Sequence, residues 1–336
     1  MLPPVDGLQF PPSVHLFLFG ASLLGLAMLI VKPTNRLLML LVVAIEVASC
    51  LPDINRWQPW QYLYLTLLFV LMIFHKNKAL IQTAIAFILW STYFFSGVFK
   101  FNGGFLSSIW EKMILIQFLH LPHAFARMSF VHYVGLLIPV IEVLGAVLLL
   151  FASTQKKGAT ILIVTHIFNL IFLGPIGINY NHVVWPWNAV MMVLLYLVYF
   201  RKDGHINWFT MFSKRLLWLL ILWGFLPITH LFGFWDTYLS SSLYSGNTKH
   251  LSICIDTVVK SCPAPLLPFI NKAPLKHNCA NGVQISVTNW SLAEMGVPCY
   301  PEERVYKKLA QKLKQDYPQT SFHFIVYNYQ KRIAAY

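Results

Sequence analysis

Acidic residues are scarce in this chain: 12 Asp and Glu stand among 336 residues, against 25 Lys and Arg. Charged residues of both signs reach only 11%, whereas a soluble domain draws on roughly 25%. That shortage excludes an ordinary soluble surface. No glycine-rich phosphate loop, paired zinc motif, heptad seam, internal repeat or Cys-x-x-Cys pair occurs. Their absence removes nucleotide-loop, zinc-finger, coiled-coil and thioredoxin-type readings.

What the chain has is apolar: 57% hydrophobic residues, 15% aromatic, and a mean hydropathy of +0.61. This composition suits a polytopic membrane protein whose aromatics form interfacial belts. A spanning helix needs about 20 mostly apolar residues. Runs of that kind fall at 14–32, 36–52, 57–75, 79–99, 129–152, 158–177, 183–200 and 215–235, which predicts eight spans. Residues 105–126 hold Glu111, Lys112, His120 and His123 and predict an interfacial or re-entrant helix. The N-terminus has no basic segment before its first apolar run and does not read as a cleaved signal peptide. "VASC" at 47–50 looks like a lipoprotein cleavage box but lies inside the second run, after Glu46.

The net charge of +13 is distributed along this path. One set of loops carries Lys32, Arg36, Lys76, Lys78, Lys156, Lys157, Arg201, Lys202, Lys214 and Arg215. The alternate set carries Arg56, Lys100, Lys112 and Arg127, with none between the sixth and seventh spans. The basic set is expected on the cytoplasmic side, which puts both termini outside. The charge therefore reads as orientation, with no nucleic-acid partner, and the expected location is a bacterial inner membrane with lipid around the helices.

Residues 236–336 change character and are expected to form a small α+β extracytoplasmic domain beside the all-α bundle of residues 1–235. "GVQISVTNW" and "SFHFIVYNY" alternate like strands, and "PEERVYKKLAQKLKQDY" reads as an amphipathic helix. Cys254, Cys262, Cys279 and Cys299 form an even set that predicts a disulfide framework, with three connectivities open. Cys50 stands alone as a small buried hydrophobe. A basic domain of this kind also suits a scaffold that holds an exported protein.

Ionisable groups inside spans are costly and usually face the bundle interior. Here they gather towards one side: Glu46 and His230 in the outer halves of their spans, His132 nearer the outer end of the fifth span and Glu142 near its middle, His166 with Asn169 three residues on along one face of the sixth, and the stretch Asn179 to Asn188 with Trp185 and Trp187 at the outer mouth. Asp53 and Arg56 read as a loop-fixing pair. The gathering predicts a polar cavity opening outward. Each member also has a plainer role: His166 and Asn169 as interhelical hydrogen-bonding glue, the tryptophans as a belt, and Lys100 as a snorkelling anchor. No metal site is expected.

At "YFFSGVFKFN" the chain resembles the membrane region shared by vitamin K-dependent gamma-carboxylases and their bacterial HTTM relatives. Tyr93, Phe94, Ser96, Gly97, Lys100, Phe101 and Asn102 fit the family's aromatic span ending in small-Gly-x-x-Lys-apolar-Asn/Asp. "DINRWQPWQYLYL", "VHYVGLLIPVIEVLGAVLLLF", "THIFNLIFLGPIGINY" and "DTYLSSSLYSGNT" follow the family in order, across most of residues 35–250. The resemblance implies a quinone or quinol cofactor, with Lys100 as the base that acts on it and Glu142 and His166 in the catalytic group. Tyr93, Asn102, His132 and Asn169 of the matching stretches, with Trp185, Trp187 and Asn188 of the outer mouth, are the residues expected to hold its ring. Phe99 replaces the family's frequent second lysine, and the family's large extracytoplasmic region is reduced here to residues 236–336. DoxX/MauE-like proteins, tied to quinone and thiol redox chemistry, show a similar Tyr-Phe-x-x-Gly-x-x-Lys pattern.

Overall fold

The structure is a computed structural model that describes residues 10–201, 206–255, 262–271, 279, 282–328 and 332–335. Lys202 and the N-terminal residues 1–9 lie outside the described residues.

Helices occur at each of the eight apolar runs. They are α1 (Pro12–Val31), α2 (Arg36–Cys50), α3 (Pro59–Phe74), α4 (Lys78–Val98), α5 (Ser129–Leu149), α6 (Gln155–Leu173), α7 (Val184–Tyr199) and α8 (Leu217–Phe232). Among the described residues α1, α4, α5 and α6 are long and apolar enough to cross a membrane. α3, α7 and α8 are shorter apolar helices, and α2 has 15 residues, about 22 Å of rise against a ~30 Å hydrocarbon core. Local chemistry sets the starts. Asn35 and Asn77 accept from Leu38 N and Leu80 N to cap α2 and α4. Prolines open α1 and α3, where no amide hydrogen is needed.

Two of the runs are not straight helices. α5 turns at Gly135 and Leu136, and α8 passes through a π-helical turn at Leu220–Phe225 just before Pro227. Residues Phe105–Phe118 form a π-helix whose Phe105, Leu106, Ile114 and Leu115 are buried. It enters the fold as a separate helix between α4 and α5.

Large apolar side chains cover much of the outside. Leu16, Phe17, Leu24 and Ile30 of α1, and Phe130, Tyr133 and Leu137 of α5, are all exposed. Such a surface suits lipid as solvent and not water. Inside, Leu63, Val70, Phe87, Leu89, Leu162 and Leu195 join α3, α4, α6 and α7 in one core. Glycine decides the closest approach: a Cβ on Gly97 of α4 would sit 2.6 Å from Val143 Cγ2 and 3.2 Å from Pro139 O of α5. Only a residue without a side chain lets these two helices meet there.

Beyond α8 the chain forms an antiparallel sheet of order β2-β1-β3-β4, with β1 at His250–Ile255, β2 at Val283–Ser286, β3 at Phe322–Tyr327 and β4 at Arg332–Ala335. "SFHFIVYNY" is a strand over Phe322–Tyr327, with Tyr329 outside the described residues. "GVQISVTNW" is a strand only as far as Ser286, whose side chain accepts from Asn289 N and starts helix α9 (Val287–Met295). The cap outweighs the β-prone Val287 and Thr288. α10 (Glu303–Asp316) is the expected amphipathic helix and buries Val305, Tyr306, Leu309, Ala310 and Leu313.

The cysteine framework is half of what the count suggested. Cys254 and Cys279 are bonded, while Cys262 and Cys299 are free thiols. An even count shows only how many could pair; pairing needs two Cα atoms within about 7 Å, and this pair stands at 5.5 Å.

The sheet unit is not a detached domain. Its core, with Ile253, Tyr300 and Phe324, runs on into Ile114, Phe172, Leu173 and Val184 at the ends of the bundle helices. Tyr62 of α3 meets Tyr300 hydroxyl to hydroxyl at 3.2 Å. The linking strap, residues 236–249, is pinned at both ends. Asp236 accepts from Tyr300 and Arg304, and Ser245 O accepts from Asn102 Nδ2 at 2.8 Å. Gly246, at φ +73°, passes so near Gly104 that a Cβ there would stand 2.1 Å from Phe105 N.

Candidate functional site

α4 ends, α6 ends and α7 begins at the same end of the bundle, beneath the sheet. A cavity of about 100 Å³ opens among them, also walled by α5, the π-helix and the strap. Seven of the residues singled out from sequence line it: Tyr93, Lys100, Glu142, His166, Asn169, Trp187 and Asn188.

Lys100 lies just past the last turn of α4, its amide bonded to Gly97 O at 3.0 Å. Its side chain turns back along the helix, donates to Ser96 Oγ at 2.8 Å, and forms an ion pair with Glu142 Oε2 of α5. Only 13% of the lysine side chain and 9% of the glutamate are exposed. The amine is therefore not a snorkelling anchor reaching for water. The pair exists because Gly97, one turn before Lys100, brings α4 against α5 at Pro139, one turn before Glu142, and at Val143, the residue after it.

Beside the pair runs a chain of hydrogen bonds that defines a tautomer. Asn188 Nδ2 donates to Val184 O at 2.6 Å, which leaves its Oδ1 facing His166 Nδ1 at 2.7 Å. His166 Nδ1 must then carry the hydrogen, and Nε2 accepts from the Tyr93 hydroxyl at 2.7 Å. His166 is held as a neutral ring between α4 and α7, and Tyr93 keeps its oxygen lone pairs for the cavity. Glu142 lies within electrostatic reach of both. Asn169, half-buried, also reaches the cavity.

Other residues chosen from sequence have different work. Asn102 accepts from Phe105 N at 3.0 Å and donates to Phe99 O and Ser245 O, so it starts the π-helix and ties down the strap. His132 pairs with Glu111 outside the cavity lining. Trp185 donates to Leu173 O at 3.0 Å and packs on His182, closing the turn between α6 and α7. Asp53 and Arg56 do not bond each other: Asp53 caps Ile54–Arg56 through Asn55 N, and Arg56 donates to Ser49 O. Glu46 binds Ser22 and Gln61, and His230 bonds Trp235 O.

Ser96 and Tyr244 also line the cavity and are not among the site residues read from sequence. Ser96 is the hydroxyl that Lys100 touches, and spacing does mark it: i−4 of the lysine on a helix. Tyr244 comes from the strap with φ +54° and binds Asn181 Nδ2 through its hydroxyl at 3.0 Å. Burial pushes that phenol up, so it stays protonated. No periodicity marks it, because the strap is neither helix nor strand.

The cavity thus holds an ion pair, a neutral imidazole, two phenols and two amides within apolar walls. Such a set can grip a planar ligand with polar oxygens and pass a proton at one of them. Among the described residues no cluster of His, Cys, Asp and Glu suits a metal. No protein-family model, curated protein or solved structure matches the chain.

Proposed function

We propose that the chain is an integral membrane enzyme, with helices α1 to α8 as its passages, and that the Lys100–Glu142 cavity takes a quinol-type, lipid-soluble ring. On this reading the Lys32, Lys76, Lys156 and Arg201 loops face the cytoplasm and the sheet unit lies outside. The observation that carries the proposal is the buried Lys100–Glu142 pair in a cavity shared with the Tyr93–His166–Asn188 chain. The resemblance to the gamma-carboxylase membrane region supports it.

Lys100 has to act as a base, and an amine does so only without its extra proton. On this reading Glu142 Oε2, bonded to Nζ, is the group placed to take that proton. A ring hydroxyl seated beside Nζ could then give its proton to the amine, while Tyr93 and Asn169 hold the other side of the ring. A cavity of about 100 Å³ is smaller than the roughly 150 Å³ that holds benzene. A seated ring must therefore move a side chain or extend through the opening.

A scaffold that binds an exported protein is the second reading, favoured by the exposed Arg304, Lys307 and Lys314 along α10. The test is to purify wild type, Lys100→Ala and His166→Ala in mild detergent and identify the bound lipid-soluble molecule by mass spectrometry. A stoichiometric quinone lost in both variants is expected. An empty wild type, or a quinone retained equally by all three, defeats the proposal and favours the scaffold.

A further inference from the structure

Between the π-helix and α5 the chain runs over the surface. Leu121 N bonds back to Leu115 O at 2.9 Å, so the chain folds along the end of the π-helix. A single helical turn at His123–Ala126 follows and packs on the π-helix, with Ala126 fully buried. The Glu111–His132 pair then clasps the π-helix to the start of α5.

Charge of one sign is left over here. From Lys112 to Ile141 the chain has no acidic residue, yet it carries Lys112, His120, His123 and Arg127. All four are exposed, and among the described residues none has a side-chain hydrogen bond or ion pair. The carboxylate nearest in sequence, Glu111, is already taken by His132. His123 and Arg127 stand one turn apart, Arg127 N bonding His123 O at 3.2 Å. The same segment exposes Leu119, Phe125, Met128 and Phe130, the last at 81%. A surface made for water would not show these apolar side chains, and one made only for acyl chains would not hold the cations. Orientation does not call for them either: on the topology proposed above this loop lies outside, where the positive-inside rule asks for no basic residues.

We propose that this segment is a docking surface for an anionic phospholipid of the outer leaflet. The lipid phosphate takes the Arg127 guanidinium and an imidazole N–H from His120 or His123, which a histidine offers in either protonation state. Lys112 adds charge from the π-helix, and the acyl chains lie against Phe125, Met128 and Phe130. The inference rests on the membrane reading of the chain but not on the quinol reading, since none of these residues lines the Lys100 cavity.

The full-length protein in a neutral detergent is titrated with phosphatidylglycerol or with phosphatidylcholine of the same acyl chains, and bound lipid is counted by native mass spectrometry. The first phosphatidylglycerol is expected to bind about tenfold more tightly than phosphatidylcholine. Arg127→Gln should lower its affinity about fivefold, and Lys112→Gln by a similar factor, the scale of one cation near a charged lipid surface. Lys156→Gln, which removes an exposed cation from the opposite set of loops, should leave it unchanged. Lys100→Ala should keep the lipid preference even where it loses a quinone, so failure of the quinol reading leaves this result standing. Equal binding of the two lipids overturns the proposal, as does a preference that survives in the double variant Arg127→Gln with Lys112→Gln or an equal loss in Lys156→Gln. Displacement of the lipid by an equal concentration of inorganic phosphate would mark a site for soluble anions and overturns it too. If the double variant does not fold, phosphatidylglycerol with a diazirine on its headgroup decides on wild type. Labelling within residues 112–133 supports the surface, and labelling confined elsewhere overturns it.

Discussion

Replacing Lys100 by Met leaves the Glu142 carboxylate in the cavity wall without its cation. Two unit charges at 4 Å attract by about 4 kcal/mol at an effective dielectric of 20, and the contact here is closer than that. Both side chains are nearly buried, so screening by water recovers little. Removing one partner of such a pair costs about 3–5 kcal/mol. Glu142→Leu strands the ammonium and should cost a similar amount. The double variant Lys100→Met with Glu142→Leu removes both charges and keeps the volume, so it should return to within about 1–2 kcal/mol of wild type. The expected coupling is therefore at least about 3 kcal/mol. Thermal unfolding in one detergent measures it: each single variant should lose roughly 5–10 °C, and the double variant only a few degrees. Additive losses would refute the reasoning. The lysine and glutamate would then be independent, and the site would have no coupled acid–base pair.

Two predictions concern the sheet unit. Burial alone would push the Asp236 carboxyl up, but bonds from Arg304 and Tyr300 and the charges of Arg304 and Lys249 together hold it below its usual range. A depressed carboxyl stabilises the fold above its unfolded pKa near 3.9 and loses that contribution as pH falls through the folded value. Asp236→Asn should then cost about 1–2 kcal/mol at pH 7, Arg304 being half exposed, with the difference from wild type closing below about pH 4 in acid-unfolding curves; a gap that persists at pH 2 contradicts the assignment. For the cysteines, thiol titration of the unfolded, unreduced chain should find three free groups, Cys50, Cys262 and Cys299. In the folded protein the Cys299 thiol, pushed up to about 12 mainly by burial and further by Asp53, should resist alkylation at pH 8. A single free thiol would restore the two-disulfide framework.

Much of the architecture is legible residue by residue. The eight apolar runs announce helices because a backbone packed among apolar side chains must bond to itself. Asn35, Asn77, Pro12 and Pro59 mark where they start, and the alternation of "SFHFIVYNY" marks β3. The candidate site was legible as a list: residue types that are expensive in an apolar span, met at one end of it. Asn102, His132 and Trp185 belong to that list by type yet serve turns and helix starts, since type alone does not say which way a side chain faces.

The sequence by itself determined the solvent this chain suits, the number and order of its helical runs, and the amphipathic face of α10. These follow from local periodicity and from the free energy of moving apolar groups out of water. Only the tertiary structure decided which polar residues meet. Lys100 and Glu142 are 42 positions apart, and Tyr93 and His166 are 73 apart. They meet because α4 and α5 close on Gly97, and because α7 sets Asn188 across from α6. The tautomer of His166 and the single disulfide depend on long-range contacts of the same kind. No spacing along the chain encodes such contacts, because their geometry comes from packing between helices and not from the rise of any one helix.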